Sequence, residues 1–242
     1  MEYFDIHSHI LPGVDDGAET MEESLSMLEI AYKEGTRNIV LTPHYIRGKN
    51  HYTKQELNDR LKEVRARTEE EYPGLNLYLG NEVLYEDGIV DDLKNGLIQT
   101  MNGTKYVLVE FNIRISYNEL YQAVRKIANA RFRPIIAHVE RYRCLFKHIE
   151  RIDELVGLEV TLQMNISSIY GGFLDENARW CKQLVKEGYI SFFGTDAHDL
   201  NDRAPYVNDY IGWIRKKCGE DVLQQIFVEN PKKMIENQYI FT

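Results

Sequence analysis

The sequence has few cysteines and no long apolar run. Three cysteines occur among 242 residues, at positions 144, 181 and 218. An odd number at wide spacing does not form a disulfide framework and is typical of a reducing compartment. No apolar stretch approaches the roughly 20 residues that cross a bilayer. The first residues also lack the basic and apolar regions of a secretory signal. We therefore expect a cytoplasmic protein that does not insert into the membrane.

Positive charge is also scarce. The chain carries 29 lysines and arginines against 38 acidic residues, so its net charge is −9. Nucleic acids and anionic membranes both require positive charge, and we expect neither as a partner. The composition is 43% hydrophobic and 28% charged, which is ordinary for a globular protein. We expect one domain over residues 1–242.

Short apolar runs alternate with segments of helical periodicity along the chain. Seven runs predict strands, at residues 3–6, 38–42, 75–80, 106–109, 133–137, 159–164 and 189–194. Helices are predicted between or after them, at residues 22–34, 55–71, 117–131, 177–187, 203–217, 221–228 and 231–237. This alternation indicates right-handed βαβ units and a parallel sheet. Seven units in this length favour a small α/β barrel.

Histidine, aspartate or glutamate, the residue types that commonly bind metal ions, follows six of the seven predicted strands. In a barrel such positions meet at one rim, where active sites lie. The sixth strand ends at Asn165 instead, and a further candidate, Asp16, lies in the loop after the first strand. The residues at the strand ends are His7, His9, His44, Glu82, Glu110, His138, Asp196 and His198.

The joint pattern predicts a metal cluster, although each residue alone has a simpler explanation. Asp15 and Asp16 could be turn residues beside Gly17, and Glu110 could pair with an arginine. Random placement would not put five of seven histidines at strand ends; His51 and His148 are expected at the surface. Imidazole and carboxylate together suit Mn, Fe, Zn or Co. The ligands exceed the needs of one ion, so we expect two or three.

Two arginines are predicted at the same rim. Arg141 follows His138 by three residues, and Arg203 follows His198 by five. A guanidinium group matches phosphate oxygens, so a metal cluster with two arginines points to a phosphate ester. The alternative for each is a surface salt bridge with the nearby Glu140 or Asp202.

These motifs carry a family resemblance over essentially the whole chain. Residues 5–18 read DIHSHILPGVDDGA, and LTPH (41–44), GNE (80–82), VEF (109–111), IAHVERY (136–142) and GTDAH (194–198) follow in order. They resemble the PHP (polymerase and histidinol phosphatase) superfamily. More narrowly, they resemble the manganese-dependent tyrosine-protein phosphatases of bacterial capsular and extracellular polysaccharide loci.

The resemblance implies a distorted (β/α)7 TIM-like PHP barrel with a trinuclear site. His7, His9, Glu82 and Asp196 would bind one ion, Glu82 with Glu110 and His138 a second, and Asp16, His44 and His198 a third. Arg141 and Arg203 match the phosphate-binding arginines of the family. Tyr45 departs from the pattern, since many relatives have a second histidine there. Loops around Asp16, 44–51 and 168–174 are expected to set substrate access.

The implied reaction is hydrolysis of phosphotyrosine by metal-activated hydroxide. The implied partner is a phosphorylated tyrosine kinase that controls polysaccharide export. Manganese is the expected metal, with Fe, Zn, Co or Mg open. A cysteine mechanism needs Cys-x5-Arg, but Glu150, Glu187 and Gln224 stand six residues after the cysteines.

Four other functions are weighed against this interpretation. A PHP phosphoesterase acting on histidinol phosphate is the nearest, and the chain's acidity argues against a nuclease. Phosphate-binding arginines would be superfluous in an amidohydrolase. A non-catalytic relic is disfavoured because every expected ligand position is filled.

Overall fold

The computed structural model describes residues 2–172 and 174–240, and parallel strands dominate its interior. Phe173, in the 168–174 loop, lies outside the described residues. The strands in the described part are β1 (Tyr3–Ser8), β2 (Thr36–Leu41), β3 (His44–Tyr45), β4 (Asn76–Leu79), β5 (Glu82–Leu84), β6 (Tyr106–Glu110), β7 (Arg133–Ile136), β8 (Thr161–Asn165) and β9 (Phe192–Gly194).

Helices connect successive strands and extend the chain after β9. Thr53 and Ser116 begin two of them with capping boxes, in which the hydroxyl accepts a backbone N–H and a glutamate reaches back. A π-helical turn at Gln225–Glu229 joins the last two helices. The helices are α1 (Met21–Lys33), α2 (Lys54–Thr68), α3 (Ile89–Lys94), α4 (Tyr117–Asn129), α5 (Ile149–Val156), α6 (Glu176–Lys186), α7 (Asn208–Cys218), α8 (Glu220–Gln224) and α9 (Asn230–Ile235).

The parallel strands close into a barrel with seven strand positions. β1 pairs with β2 and β2 with β4, while β3, β5, β6, β7, β8 and β9 pair in that order. β3 continues β2 and β5 continues β4 after short interruptions. The barrel closes where the N–H of Asp196 donates to His7 O at 2.8 Å and the N–H of His9 donates to Ala197 O at 2.8 Å. The predicted α/β barrel is therefore confirmed.

Two adjacent interruptions distort the barrel. The first lies at Thr42 and Pro43, since proline has no N–H to donate to a neighbouring strand. The second lies beside it at Gly80 and Asn81. The Asn81 side chain joins them: its amide donates to Pro43 O at 2.8 Å, and its oxygen accepts the N–H of Gln99 at 2.9 Å. The buried carbonyl of Pro43 thus keeps a hydrogen-bond partner.

The barrel interior and the layers beneath the helices are apolar. Ile6, Val40, Leu108, Ile135 and Phe192 pack together inside the barrel. All residues of β1 are buried. Its sequence therefore lacks the alternation of buried apolar and exposed polar residues that marks a strand with one face in solvent. No helix within 2–172 and 174–240 has the length and apolar character that a membrane crossing requires.

Several element boundaries differ from the sequence-based prediction. Glu159 has a φ of 59°, so the strand predicted from 159 begins at Thr161. Tyr189 belongs to the turn that ends α6, because its N–H donates to Leu184 O, and β9 begins at Phe192. The helix predicted from 203 begins at Asn208. The short elements α3, α5, β3 and β5 were not predicted.

Candidate metal centre

The nine predicted ligands converge at the carboxyl ends of the strands. Because parallel strands point the same way, residues far apart in sequence meet at this rim. Three groups offer ligand atoms that lie within 4.8 Å of one another: His7, His9, Glu82 and Asp196; His9, Asp16, His44 and His198; and His44, Glu82 and Glu110.

The first group is fully buried and compact. His7 lies near the end of β1 and His9 just after it, where the pairing of β1 with β2 is irregular, and both rings reach the barrel mouth. Their Nε2 atoms lie 3.3 Å apart, and each is 3.2 Å from Glu82 Oε2. Asp196 Oδ1 lies 3.4 Å from His7 Nε2. Ligands about 2.1 Å from one cation lie roughly 3 to 3.5 Å from each other, so this group has the dimensions of a metal site.

Glu82 stands between the groups. Its Oε1 lies 2.8 Å from His138 Nε2, and its Oε2 lies 3.1 Å from His44 Nδ1. Glu110 faces the same histidine, with Oε1 3.4 Å from His138 Nε2. Each oxygen of Glu82 therefore faces a different set of ligands, as a carboxylate that bridges two cations must.

The second group, which contains Asp16, is the most open. Asp16 is 67% exposed, and its Oδ1 lies 3.4 Å from His44 Nε2 and 3.6 Å from His198 Nε2. A cation held here would be the one most accessible to a substrate from solvent.

Protonation of the cluster shows how strongly it attracts positive charge. Burial disfavours a charged His9, yet the carboxylates of Asp15 and Glu82 raise its pKa to about 10. Burial is likewise outweighed at His138, where Glu110 and Glu82 raise the pKa to about 10. The pKa of Glu82 is well below its usual value despite burial, chiefly because of His7. Protons thus balance carboxylate charge that metal ions would balance instead.

One orphaned atom supports the same conclusion. His44 Nδ1 is buried and has no hydrogen-bond partner among the described residues, although Glu82 Oε2 lies 3.1 Å away. A cation shared by the two atoms would satisfy both. The residues present therefore fit a cluster of divalent ions with nitrogen and oxygen ligands.

Both predicted arginines lie at this centre. Arg141 Nη2 and Arg203 Nη2 donate to the same oxygen, Asp196 Oδ2, at 2.8 and 2.7 Å. Their side chains are 41% and 40% exposed, so they border the solvent-filled mouth. Both arginines therefore pair with Asp196, a predicted metal ligand, and not with Glu140 or Asp202 as the alternative prediction had it.

Comparison with known proteins places this geometry in a family. The family model described as capsular polysaccharide synthesis, CpsB/CapC, matches residues 3–236. The chain belongs to the CpsB/CapC family. Tyrosine-protein phosphatase CpsB of Streptococcus agalactiae is 32% identical over 241 residues, covering 98% of this chain and 99% of the relative.

Solved structures agree with the CpsB/CapC assignment. A structure from the pair YwqE of Bacillus subtilis and CpsB of Streptococcus pneumoniae, named metal-dependent tyrosine phosphatases, superimposes with a TM-score of 0.89 at 27% identity. It covers 98% of this chain and 96% of that one. An Escherichia coli phosphotriesterase homology protein has a TM-score of 0.63 at 13% identity over 97% and 98% of the two chains, which supports the fold alone.

Two predicted ligands of this CpsB/CapC chain have left-handed backbones. His138 has a φ of 31° and Asp196 a φ of 55°. Such conformations cost energy for residues other than glycine and are retained where the surroundings fix them. The N–H of His138 donates to Gln163 Oε1 at 2.7 Å, and that of Asp196 donates to His7 O at 2.8 Å.

β8, the sixth predicted strand, supports the centre through Asn165, which the sequence placed at its end, and through Gln163, which the sequence analysis did not single out. Gln163 Oε1 also lies 3.2 Å from His7 Nδ1, and its amide donates to Asn165 Oδ1 at 3.0 Å. Asn165 in turn donates to Asp196 Oδ2 at 2.7 Å. Their i, i+2 spacing, which places both on one strand face, was the available signal.

Asp15 is a second supporting residue that the sequence left as a turn candidate. Its Oδ2 lies 2.7 Å from His9 Nδ1 and accepts the N–H of His44 at 3.0 Å. Its Oδ1 accepts the N–H of Gly17 at 3.1 Å, so it also forms the predicted turn. A carboxylate on the far nitrogen of a ligating histidine fixes the ring orientation.

The residues predicted to be uninvolved lie apart from the centre. His51 is exposed, and His148 Nδ1 lies 2.8 Å from Glu150 Oε1. Cys181 is buried, and burial raises its pKa to about 12, which disfavours the reactive thiolate.

Proposed function

We propose that this chain is a metal-dependent protein-tyrosine phosphatase. One observation carries the proposal: nine His, Asp and Glu side chains gather at the rim, and two arginines converge on one of them, Asp196. The metal dependence and tyrosine-phosphatase activity named for relatives along the full chain support the same conclusion. We also propose that residues 1–242 act as one domain.

The proposed ligand sets share out the nine residues as the family resemblance implies, with His138 joined to Glu82 and Glu110 because its Nε2 lies 2.8 and 3.4 Å from their oxygens. His7, His9, Glu82 and Asp196 would hold one ion, and Asp16, His44 and His198 another. Glu82, Glu110 and His138 would hold a further ion. Manganese is the proposed metal. Bound divalent ions would lower the pKa of water and supply a hydroxide nucleophile at neutral pH.

The protein's own residues would position the phosphate. Arg141 and Arg203 present guanidinium groups that bind phosphate oxygens and balance the charge that builds up on them. Their joint contact with Asp196 holds both groups in place before substrate arrives. Tyrosine's phenolate, with a pKa near 10, leaves more readily than a serine alkoxide, which favours phosphotyrosine as substrate.

The proposed substrate is a phosphorylated tyrosine kinase that controls polysaccharide export. The family's link to capsular polysaccharide synthesis supports this partner. The kinase's phosphorylated segment would have to be cytoplasmic, in agreement with the location expected from the sequence.

Phosphate release tests the proposal. The protein would be stripped with chelator, resupplied with Mn²⁺ and offered a phosphotyrosine peptide, a phosphoserine peptide and histidinol phosphate. We expect activity that Mn²⁺ restores and that is strongest on phosphotyrosine. Activity confined to histidinol phosphate would support the proposed metal site but refute phosphotyrosine as the substrate.

A further inference from the structure

A groove lies beside the metal centre and shares a residue with it. Its volume is about 790 Å³, and Arg141 is one of the residues that line it. The same guanidinium group donates to Asp196 at 2.8 Å. A substrate whose phosphate reached Arg141 would therefore extend into this groove.

The groove wall is apolar and open to solvent. Ile113 is 46% exposed and Tyr170 is 77% exposed, and the partly buried Phe146 lies in the same wall. Large exposed apolar side chains gathered at one site mark a binding surface. The Tyr170 ring also meets Tyr210 edge to face, with ring centroids 6.3 Å apart.

Hydrogen bonds hold together the segments at the barrel rim that form the groove. The turn at Val139–Arg141 follows β7, and the turn at Ile166–Ile169 follows β8. Glu140 joins them, because its Oε1 accepts the Ser168 hydroxyl at 2.8 Å and the N–H of Asn165 at 3.2 Å. The surface is thus formed before a substrate binds, which reduces the entropy lost on binding.

The groove lining carries two arginines and two carboxylates, Glu140 and Asp175. Hydrogen bonds within the protein engage both carboxylates: Glu140 accepts from Ser168 and Asn165, and Asp175 Oδ1 accepts the N–H of Ala178 at 3.0 Å.

Arg143, an exposed neighbour of Arg141, adds a second guanidinium group to the lining. The chain as a whole carries a net charge of −9 and would repel an anionic peptide. The guanidinium groups of Arg141 and Arg143 would offset that repulsion for the phosphate itself.

We propose that this groove binds the peptide segment around the phosphotyrosine, with Ile113 and Tyr170 contacting an apolar side chain next to it. This inference rests on the proposed phosphatase function and adds the part of the surface that distinguishes a protein substrate from a small phosphate ester. A small ester needs only the metal centre and the arginines, and it would leave the groove empty.

Steady-state kinetics on two substrates test the groove. The substrates are a phosphotyrosine peptide with leucine beside the phosphotyrosine and para-nitrophenyl phosphate, both with the Mn²⁺-loaded full chain. Tyr170→Ala and Ile113→Asp should each raise KM for the peptide about tenfold, the size of one aromatic or apolar contact at an interface. Their kinetics with para-nitrophenyl phosphate should match those of the parent chain. Tyr170→Phe should retain the parent KM for the peptide.

Tyr239→Ala is the matched control. Tyr239 is 55% exposed and stacks on Arg133 at the start of β7, the end of the barrel opposite the metal centre. It should leave both substrates unaffected. Equal effects of Tyr170→Ala on the two substrates, or no effect on either, would overturn the proposal that the groove binds the peptide. Neither outcome would contradict the phosphatase function. A parent chain that hydrolyses neither substrate would overturn the phosphatase function and the inference that rests on it.

Discussion

At the scale of single residues, the geometry of the centre depends on side chains outside the proposed ligand set. Gln163 supports the left-handed backbone of His138, and Asn165 orients Asp196. Asp15 orients His9. These contacts fix the ligand directions, and the loss of such support commonly weakens metal binding without removing a ligand.

Gln163→Ala should lower manganese affinity about 10- to 100-fold, because the N–H of His138 and the ring of His7 lose their partner. Isothermal titration with Mn²⁺ measures this effect. Gln183→Ala on the exposed face of α6 is the control, since its side-chain amide donates to Glu187 Oε1 at 2.9 Å on the protein surface. Unchanged manganese affinity in Gln163→Ala would show that Gln163 does not support the metal site.

Arg203→Ala separates phosphate binding from metal binding. The variant should keep its manganese and lose about 10²- to 10³-fold in kcat/KM for a phosphotyrosine peptide, as expected when one charge-stabilising donor is removed. Metal analysis and kinetics on the same sample measure both quantities. Arg215→Ala, whose side chain pairs with Glu220, should change neither. Parent kinetics in Arg203→Ala would exclude it from the phosphate site.

At the scale of secondary-structure elements, barrel closure decides whether the ligands meet. β9 approaches β1 so closely at Gly194 that a Cβ there would lie 2.5 Å from His7 Cβ. A second glycine, Gly17, packs directly against the backbone of His9. Glycine at these positions lets neighbouring segments approach the histidines without displacing them.

Gly194→Ala should lower the free energy of unfolding by about 1 to 3 kcal/mol, because the added methyl group overpacks the contact with His7. Denaturant titration of the metal-free protein measures the change. Gly212→Ala in α7 is the matched control: its Cβ would meet nothing within 4 Å, so a neutral or stabilising effect of up to about 1 kcal/mol is expected. A Gly194→Ala variant as stable as the parent would show that the closure tolerates a side chain.

At the scale of the whole molecule, the centre couples metal binding to protonation. In the metal-free chain, neighbouring carboxylates raise the pKa of His9 and of His138 to about 10. Both rings are therefore protonated at pH 7, and a metal ion must displace those protons to bind the nitrogen atoms. Metal affinity should consequently rise with pH up to about 10 and fall as the solution becomes more acidic.

Calorimetric titration of Mn²⁺ at pH 7 in two buffers of different ionisation enthalpy measures the protons released. We expect a net release. The His138→Ala variant, which lacks one of the two protonated rings, should release fewer protons. Binding without proton release by the parent chain would contradict the protonation state described here.

The fold was predictable as far as local patterns reach. Seven apolar runs alternating with helical segments specified a parallel barrel, since each run must be buried on both faces. The predicted strand at 38–42 ended at the interruption before Pro43, but its continuation as β3 was missed because β3 is only two residues long. The helix predicted from Arg203 was placed too early because its periodicity continues across the loop before Asn208.

The sequence by itself determined the chemical character of the centre, because the order of strands and the residue after each one fix which ligands share a rim. It also placed Arg141 and Arg203 near those ligands. Only the tertiary structure decided that both arginines meet on Asp196, that Glu82 faces two ligand sets, and that Gln163 and Asp15 support the histidines. These contacts join residues from different strands and loops, and their distances depend on how the barrel closes and where its strands break.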